Sequence, residues 1–182
     1  MGATDDVVER LANQWRAAGV EEGDHLLLHS SARRLIRRLI GEGIRPSPEL
    51  ILESFLACLG DSGTLVLPLF NFGFASGEAF DIRSTPSEMG ALTETGRTWP
   101  GAVRTGHPIY SFAAIGAKAS LFANVENFSG YGDDSPFGIL HRLGGKIAVL
   151  DLPDNGSMTF YHYVEEACAV PYRYHKTFSG PY

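Results

Sequence analysis

The spacing of apolar residues along the chain predicts helices that alternate with short strands. Between residues 4 and 18 apolar side chains recur every three or four positions, which predicts an amphipathic helix with Thr4 as its N-cap. A second such pattern covers residues 48–59, where Ser47 is the expected N-cap and Pro48 occupies the first helical position. Two further helices are predicted, over residues 88–97 and from Ser157 to about Val170.

Four short apolar runs lie between these helices and are typical of buried strands. They cover residues 25–29, 63–69, 110–116 and 145–152. Strands that are apolar throughout, and that alternate with helices, favour a parallel sheet covered on both faces. We therefore predict one α/β domain over residues 1–182, with a mostly parallel central sheet and helices on both faces.

Composition narrows the class of protein. The chain has 182 residues, of which 44% are hydrophobic, and a net charge of −6, which argues against a general nucleic-acid binder. No apolar run is long enough to span a membrane, and the first residues do not resemble a signal peptide. We expect a cytoplasmic protein with no membrane or nucleic-acid partner, and the sequence leaves a homo-oligomer open. Cys58 and Cys168 are expected to be reduced thiols, with Cys168 packed in the core.

A cluster of hydroxyl and basic residues follows the strand at residues 25–29. The segment reads HSSARR over residues 29–34, and two more arginines follow at 37 and 38. Small residues at a strand end allow backbone N–H groups to approach a phosphate, and guanidinium groups bind phosphate through paired hydrogen bonds. The alternative is a solvated helix face. Neither a Walker lysine nor a Gly-x-Gly-x-x-Gly pattern is present, so ATP and NAD are not indicated.

A histidine and a glutamate share one face of the predicted C-terminal helix. His162 and Glu165 are three residues apart, and a carboxylate beside an imidazole orients it for general-base chemistry. The alternative is a surface ion pair. A metal site built from these two residues with Glu166 and His175 lacks any His-Glu-x-x-His spacing, so no metal is expected.

His107 precedes a proline, which favours an extended backbone at the histidine. That conformation could aim the imidazole into a cleft. A buried, hydrogen-bonded turn histidine explains the sequence equally well.

Several segments together resemble the aminoglycoside 3-N-acetyltransferases, which use acetyl-coenzyme A and have their own α/β fold. The similar segments, in the order of the family, are HSSARR, GDSGTLVLP, FDIRSTPSEMGALTE, VRTGHPIYSFAAIG, DDSPFG, LGGKIAVLDL and SMTFYHYVEEA. Each segment alone is a weak signal, but together they cover nearly the whole chain.

The resemblance implies an N-acetyltransferase that moves the acetyl group of acetyl-coenzyme A to an amine of an amino sugar or aminoglycoside. It makes His162 the general base and Glu165 its acidic partner. The residues that it places near the coenzyme are His29, Ser30, Ser31, Arg33, Arg34, Ser111 and Phe112. We expect the loop over residues 70–88, with Asp81 and Glu88, to bind the acceptor together with His107.

The chain departs from the family in two respects. Members usually continue well beyond the position of TFSGPY, so we expect that a C-terminal segment common in the family is lacking. The glycine-rich stretch that follows HSS in antibiotic-resistance members is also missing, and PLFNFGF is closer to members that serve sugar biosynthesis. Two other functions stay open: a metal- or carboxylate-dependent sugar hydrolase, and a non-catalytic relative that binds coenzyme A.

Overall fold

A five-stranded sheet forms the centre of the computed structural model, which describes residues 3–153 and 158–182. The strands are β1 (His25–Ser30), β2 (Thr64–Pro68), β3 (Val103–Arg104), β4 (Phe112–Gly116) and β5 (Lys146–Leu150). Their order in the sheet is β3-β4-β2-β1-β5. Strand β1 is parallel to β2 and β5, whereas β4 is antiparallel to β2 and β3. Only β4 therefore runs against the other strands of this described sheet, which confirms the mostly parallel arrangement.

The described ranges contain six α-helices. They are α1 (Ala3–Ala17), α2 (Arg33–Gly41), α3 (Pro48–Leu59), α4 (Ala91–Arg97), α5 (Pro136–Arg142) and α6 (Phe160–Ala167). The predicted cap of α3 is confirmed, because the Ser47 hydroxyl accepts a hydrogen bond from the backbone N–H of Leu50. Helix α1 begins at Ala3, so Thr4 lies inside it. The predicted start of the last helix, Ser157, lies outside the described residues.

Helices cover both faces of the sheet, as predicted. Successive residues of a strand point to opposite faces. Accordingly, Leu26 and Leu28 belong to a buried cluster with residues of α1 and α3, and Leu27 belongs to a second cluster with Phe137 of α5 and Tyr163 of α6. No helix within residues 3–153 or 158–182 is long and apolar enough to cross a membrane.

The prediction that Cys168 packs in the core is wrong, because its side chain is exposed at the end of α6. The buried residue of that helix is Tyr163. Five positions along a helix correspond to a rotation of about 140° relative to the starting residue, so Cys168 faces away from the core. Cys58, in contrast, lies on α3 and is buried in the cluster that α3 forms with α1.

The carboxyl ends of β1 and β5 meet at one edge of the sheet. The two strands are parallel, with Ser30 paired to Leu150, and helix α2 begins directly after β1. Helix α6 is the next described element after β5. Ligands of open α/β sheets bind beyond the carboxyl ends of the strands, so this edge is where a site is expected.

Candidate active site

The His162 imidazole lies beside the Glu165 carboxylate on α6. Nδ1 of His162 is 3.2 Å from Oε2 of Glu165, which confirms that the two side chains share one helical face. His162 is 44% exposed and Glu165 28% exposed, so both can be reached from solvent. Helix α6 is held in place by the buried Tyr163, whose hydroxyl lies 2.8 Å from Nδ1 of His141 on α5.

The Glu165 carboxylate has two more partners in the segment after α6. The Arg173 guanidinium donates to Oε2, and the Tyr172 hydroxyl donates to Oε1. The hydrogen bond from Arg173 is the largest cause that lowers the pKa of Glu165 from its usual value. Glu165 is therefore an anion at neutral pH.

The aromatic ring of Tyr131 packs against both His162 and Arg173. The Tyr131 ring lies 5.0 Å from the His162 ring at a steep angle, and the Arg173 guanidinium carbon is 5.6 Å from the Tyr131 centroid. Burial raises the pKa of Tyr131, so its hydroxyl stays neutral. The ring offers His162 and Arg173 a flat apolar surface that limits how far either side chain can rotate.

His29 connects the end of β1 to the start of α6. Its Nε2 lies 3.4 Å from the hydroxyl of Thr159, the residue before α6. The residue is only 6% exposed, and burial lowers the pKa of its imidazole to about 4. His29 is therefore neutral at pH 7. Its ring can donate one hydrogen bond and accept another without adding charge to the site.

The HSSARR segment lies where β1 ends and α2 begins. Ser30 and Ser31 are half-buried, and Arg33 and Arg34 are exposed. Among the described residues no ion pair involves either guanidinium, so both charges are available to an anion.

Asp151, just after β5, occupies the N-terminus of α2. Its Oδ2 accepts hydrogen bonds from the backbone N–H groups of Arg34 (2.7 Å) and Leu35 (3.0 Å). Both Ala32 and Asp151 have left-handed backbones, with φ of 55° and 59°. Such conformations cost of order 1 kcal/mol or more each for non-glycine residues and often occur at functional sites. A phosphate here would contact the guanidinium groups rather than these two N–H groups.

Ser111 and Phe112 do not join this group. Ser111 is fully buried, and its hydroxyl accepts hydrogen bonds from Nε and Nη2 of Arg104, both at 3.2 Å. Phe112 is 1% exposed and packs against Phe70 and Phe137. In this structure neither residue offers surface to a coenzyme.

His107 is a buried turn histidine that also borders a cavity. Its Nδ1 accepts hydrogen bonds from the backbone N–H groups of Ile109 and Tyr110, at 3.1 and 3.0 Å. Burial lowers its pKa. Because Nδ1 is an acceptor, the neutral ring carries its proton on Nε2, so His107 is unsuited to act as a base in this geometry.

Asp81 and Glu88 lie on the exposed loop over residues 70–88. Asp81 accepts hydrogen bonds from the backbone N–H of Arg83 and from the Ser84 hydroxyl, and Glu88 accepts one from the backbone N–H of Phe72. Both carboxylates stabilise the loop itself, and neither lines the cavity described next.

A cavity of about 690 Å³ opens beside the partners of His162. Its lining includes His107, Tyr110 and Tyr131, together with Glu165, Glu166 and residues 169–171 and 173–178. The charged residues that line it, among those described, are Glu165, Glu166, Arg173 and Lys176. Within the described ranges, no three His, Cys, Asp or Glu side chains lie close enough together to hold a metal ion.

The sequence pattern did not indicate Asp151, Tyr131, Tyr172 or Arg173. The last two follow the end of α6, so helical spacing carries no information about them. An acidic residue directly after a strand was the only signal for Asp151.

The family model described as aminoglycoside 3-N-acetyltransferase matches residues 27–181. The chain belongs to this family. Its curated relatives include aminoglycoside N(3)-acetyltransferase VII of Streptomyces paromomycinus, 30% identical over 89% of this chain and 61% of the relative. Aminoglycoside N(3)-acetyltransferase IV of a Salmonella species is 30% identical over 87% of this chain and 62% of the relative. The chain thus spans about three-fifths of the length of these acetyltransferases.

Solved structures of the aminoglycoside acetyltransferases share the fold. Aminoglycoside acetyltransferase AAC(3)-IVa, as the apoenzyme, superposes with a TM-score of 0.78 at 28% identity, over 91% of this chain and 61% of that one. AAC-IIIb, solved as a binary complex with CoASH, superposes with a TM-score of 0.77 at 26% identity, over 87% of this chain and 64% of that one. The match confirms the predicted fold class.

Proposed function

We propose that this chain transfers the acetyl group of acetyl-coenzyme A to an amine of an amino sugar or aminoglycoside, with His162 as general base. The observation that carries the proposal is the contact between His162 and Glu165 at the carboxyl edge of the sheet, in a member of the aminoglycoside 3-N-acetyltransferase family. Two relatives named as aminoglycoside N(3)-acetyltransferases and a related structure with CoASH support it.

His162 supplies the proton acceptor that this chemistry needs. An ammonium group is not a nucleophile and must lose a proton before it can attack the thioester. A neutral imidazole can take that proton at neutral pH, and the Glu165 anion then stabilises the imidazolium that forms. The Thr159 hydroxyl, at the start of α6, is a candidate donor to the oxygen that gains negative charge during attack.

The end of β1 is the proposed binding site of the coenzyme. Its phosphates would contact the guanidinium groups of Arg33 and Arg34, which form no ion pair with the described residues, next to Ser30, Ser31 and His29. The thioester arrives already activated, so these residues only need to bind and orient it.

The cavity beside Glu165 is the proposed acceptor site. His107 and the aromatic rings of its wall offer flat surfaces to a sugar ring, and Asp81 and Glu88 belong to the neighbouring loop. We expect direct attack without an acetyl-enzyme. Cys58 is buried, and burial raises its thiol pKa, whereas Cys168 is exposed and has no base among its described contacts.

A thiol-release assay with acetyl-coenzyme A and a panel of amino sugars and aminoglycosides tests the proposal. We expect release of coenzyme A that depends on an amine. Binding of coenzyme A without turnover on any amine would instead favour a non-catalytic relative. Hydrolysis of a sugar substrate that stops when a chelator is added would favour the hydrolase.

A further inference from the structure

Two groups compete for Nδ1 of His162. Oε2 of Glu165 lies 3.2 Å away and Nη1 of Arg173 lies 2.6 Å away. A carboxylate anion only accepts hydrogen bonds, and a guanidinium only donates them. Nδ1 can therefore satisfy one partner or the other, but not both with the same protonation state.

The shorter contact decides the tautomer. If Nδ1 carried a proton, two donors would face each other at 2.6 Å and the contact with Arg173 would be repulsive. If Nδ1 is unprotonated, one N–H of the Arg173 Nη1 group bonds it and the other bonds Oε2 of Glu165. The neutral ring then carries its proton on Nε2. Arg173 thus sits as a bridge between His162 and Glu165.

This tautomer is the wrong one for the proposed chemistry. A ring with a proton on Nε2 and a guanidinium at Nδ1 has no free lone pair to accept a proton from an amine. The competent form needs the proton on Nδ1, bonded to Glu165, so that Nε2 is free. Glu165 would keep two partners in that form, since the Tyr172 hydroxyl still donates to Oε1.

We propose that Arg173 is a positioning residue that sets the tautomer of His162 and holds it in the idle form until the guanidinium withdraws from Nδ1. On withdrawal, the Nε2 proton is lost to water and a proton from water is gained at Nδ1, so the ring stays neutral. This inference rests on the proposed role of His162 as general base.

The position of Arg173 allows a ligand in the cavity to move the guanidinium away from Nδ1 of His162. Arg173 lines the cavity proposed for the acceptor, together with residues 174–178 that follow it in the chain. Its side chain is 28% exposed. Among the described residues, the guanidinium also lies over the Tyr131 ring, and its charge acts on the Tyr172 hydroxyl. An acceptor in the cavity would therefore touch the segment that carries the guanidinium.

The tautomer can be measured without turnover. In the protein labelled with ¹⁵N-histidine, long-range proton–nitrogen spectra distinguish the protonated ring nitrogen from the unprotonated one, and His162→Gln identifies the signals of His162. At a pH where the ring is neutral, we expect the proton on Nε2 in the parent protein. In Arg173→Met we expect most of the population to move to the Nδ1-protonated form. Lys176→Met, which removes another cation from the same segment, should leave His162 unchanged.

Two results would overturn the inference: a parent protein already protonated on Nδ1, or an Arg173→Met variant with the same tautomer as the parent. The spectrum of the parent tests the first point even if the variant fails to fold, and Arg173→Lys, whose single ammonium cannot bridge in the same way, provides a second variant. Lack of acetyl transfer in the thiol-release assay would refute the proposed function but would leave these spectra interpretable.

Discussion

The Asp151 carboxylate accepts a 2.7 Å hydrogen bond from the backbone N–H of Arg34, which ties the end of β5 to the start of α2. The two residues are 117 positions apart in the chain. Asp151 acts as an N-cap supplied from another strand, and its negative charge lies at the positive end of the helix. The start of α2, with its arginines, is therefore held at the end of β5 by a contact that no local pattern encodes.

Removing that contact should lower stability. We expect Asp151→Ala to reduce the free energy of unfolding by about 1–2 kcal/mol, the usual loss for a helix cap. Asp151→Asn should cost less, because it keeps an acceptor oxygen and Asn tolerates a left-handed backbone. Urea unfolding of the three proteins checks this. Equal losses in both variants would show that the charge, rather than the hydrogen bonds, matters.

We expect the loss of the two arginines to affect the binding of coenzyme A and of dephospho-coenzyme A differently. Arg33→Ala combined with Arg34→Ala should weaken binding of coenzyme A while scarcely changing binding of dephospho-coenzyme A, because the guanidinium groups would act on the additional phosphate. As a control, Lys118→Ala combined with Lys146→Ala removes the same charge at the opposite edge of the sheet, where β4 ends and β5 begins. This control should affect the binding of the two ligands equally. Calorimetric titration of both ligands is the measurement. Equal losses for the two ligands would contradict this placement.

The sequence predicted most of the fold and the pairing of His162 with Glu165, because both depend on short-range patterns. Period and capping located α3 and the strands β1, β2, β4 and β5, but not β3, and a three-residue spacing placed His162 beside Glu165. Arg173 could not be found in this way, because it returns to α6 through a turn after the helix ends. The family resemblance placed Ser111 near the coenzyme, but Ser111 is buried and its hydroxyl accepts hydrogen bonds from Arg104.

Replacing His162 should lower turnover without weakening the binding of coenzyme A. We expect His162→Gln to lower the rate of thiol release by about 10²–10⁴-fold, the usual contribution of a general base, with coenzyme A affinity nearly unchanged. Glu165→Gln should cost less, because it removes orientation and charge but leaves the imidazole. His25→Gln, at the end of β1 far from Ser30 and outside the cavity lining, serves as the control. Near-normal turnover in His162→Gln would remove His162 from the mechanism.

Buried His29 makes stability depend on pH. Burial lowers its folded pKa from 6.5 to about 4, so the unfolded chain binds a proton more readily. The stabilisation is complete above pH 6.5 and is lost as the pH falls from there towards 4. From pH 7.5 to 4.5 we expect the parent to lose roughly 2–3 kcal/mol more than His29→Gln, in urea unfolding at each pH. Parallel curves for the two proteins would show that His29 does not titrate in this way.

The charges of the cavity predict which acceptor is preferred. In the described part of the chain, two carboxylates and two cations line it. Both carboxylates already have partners: Glu165 bonds Arg173, and Glu166 accepts from the Ser129 hydroxyl at 2.8 Å. A polycationic antibiotic needs several free carboxylates, each paired with an ammonium group. We therefore expect a biosynthetic amino sugar, neutral or anionic overall, to be a better acceptor than an antibiotic of the gentamicin type.

Steady-state comparison of amino-sugar nucleotides with gentamicin-type substrates measures this preference. A kcat/KM at least tenfold higher for the antibiotic, about 1.4 kcal/mol in transition-state binding, would reverse the assignment. Lys176→Glu offers an independent check, because it replaces a cation of the cavity wall with a carboxylate. It should raise kcat/KM for the polycation relative to the amino sugar, whereas Lys118→Glu, the same change on an exposed loop after β4, should shift neither. An equal response to the two substitutions would mean that the net charge of the protein, rather than the cavity, selects the acceptor.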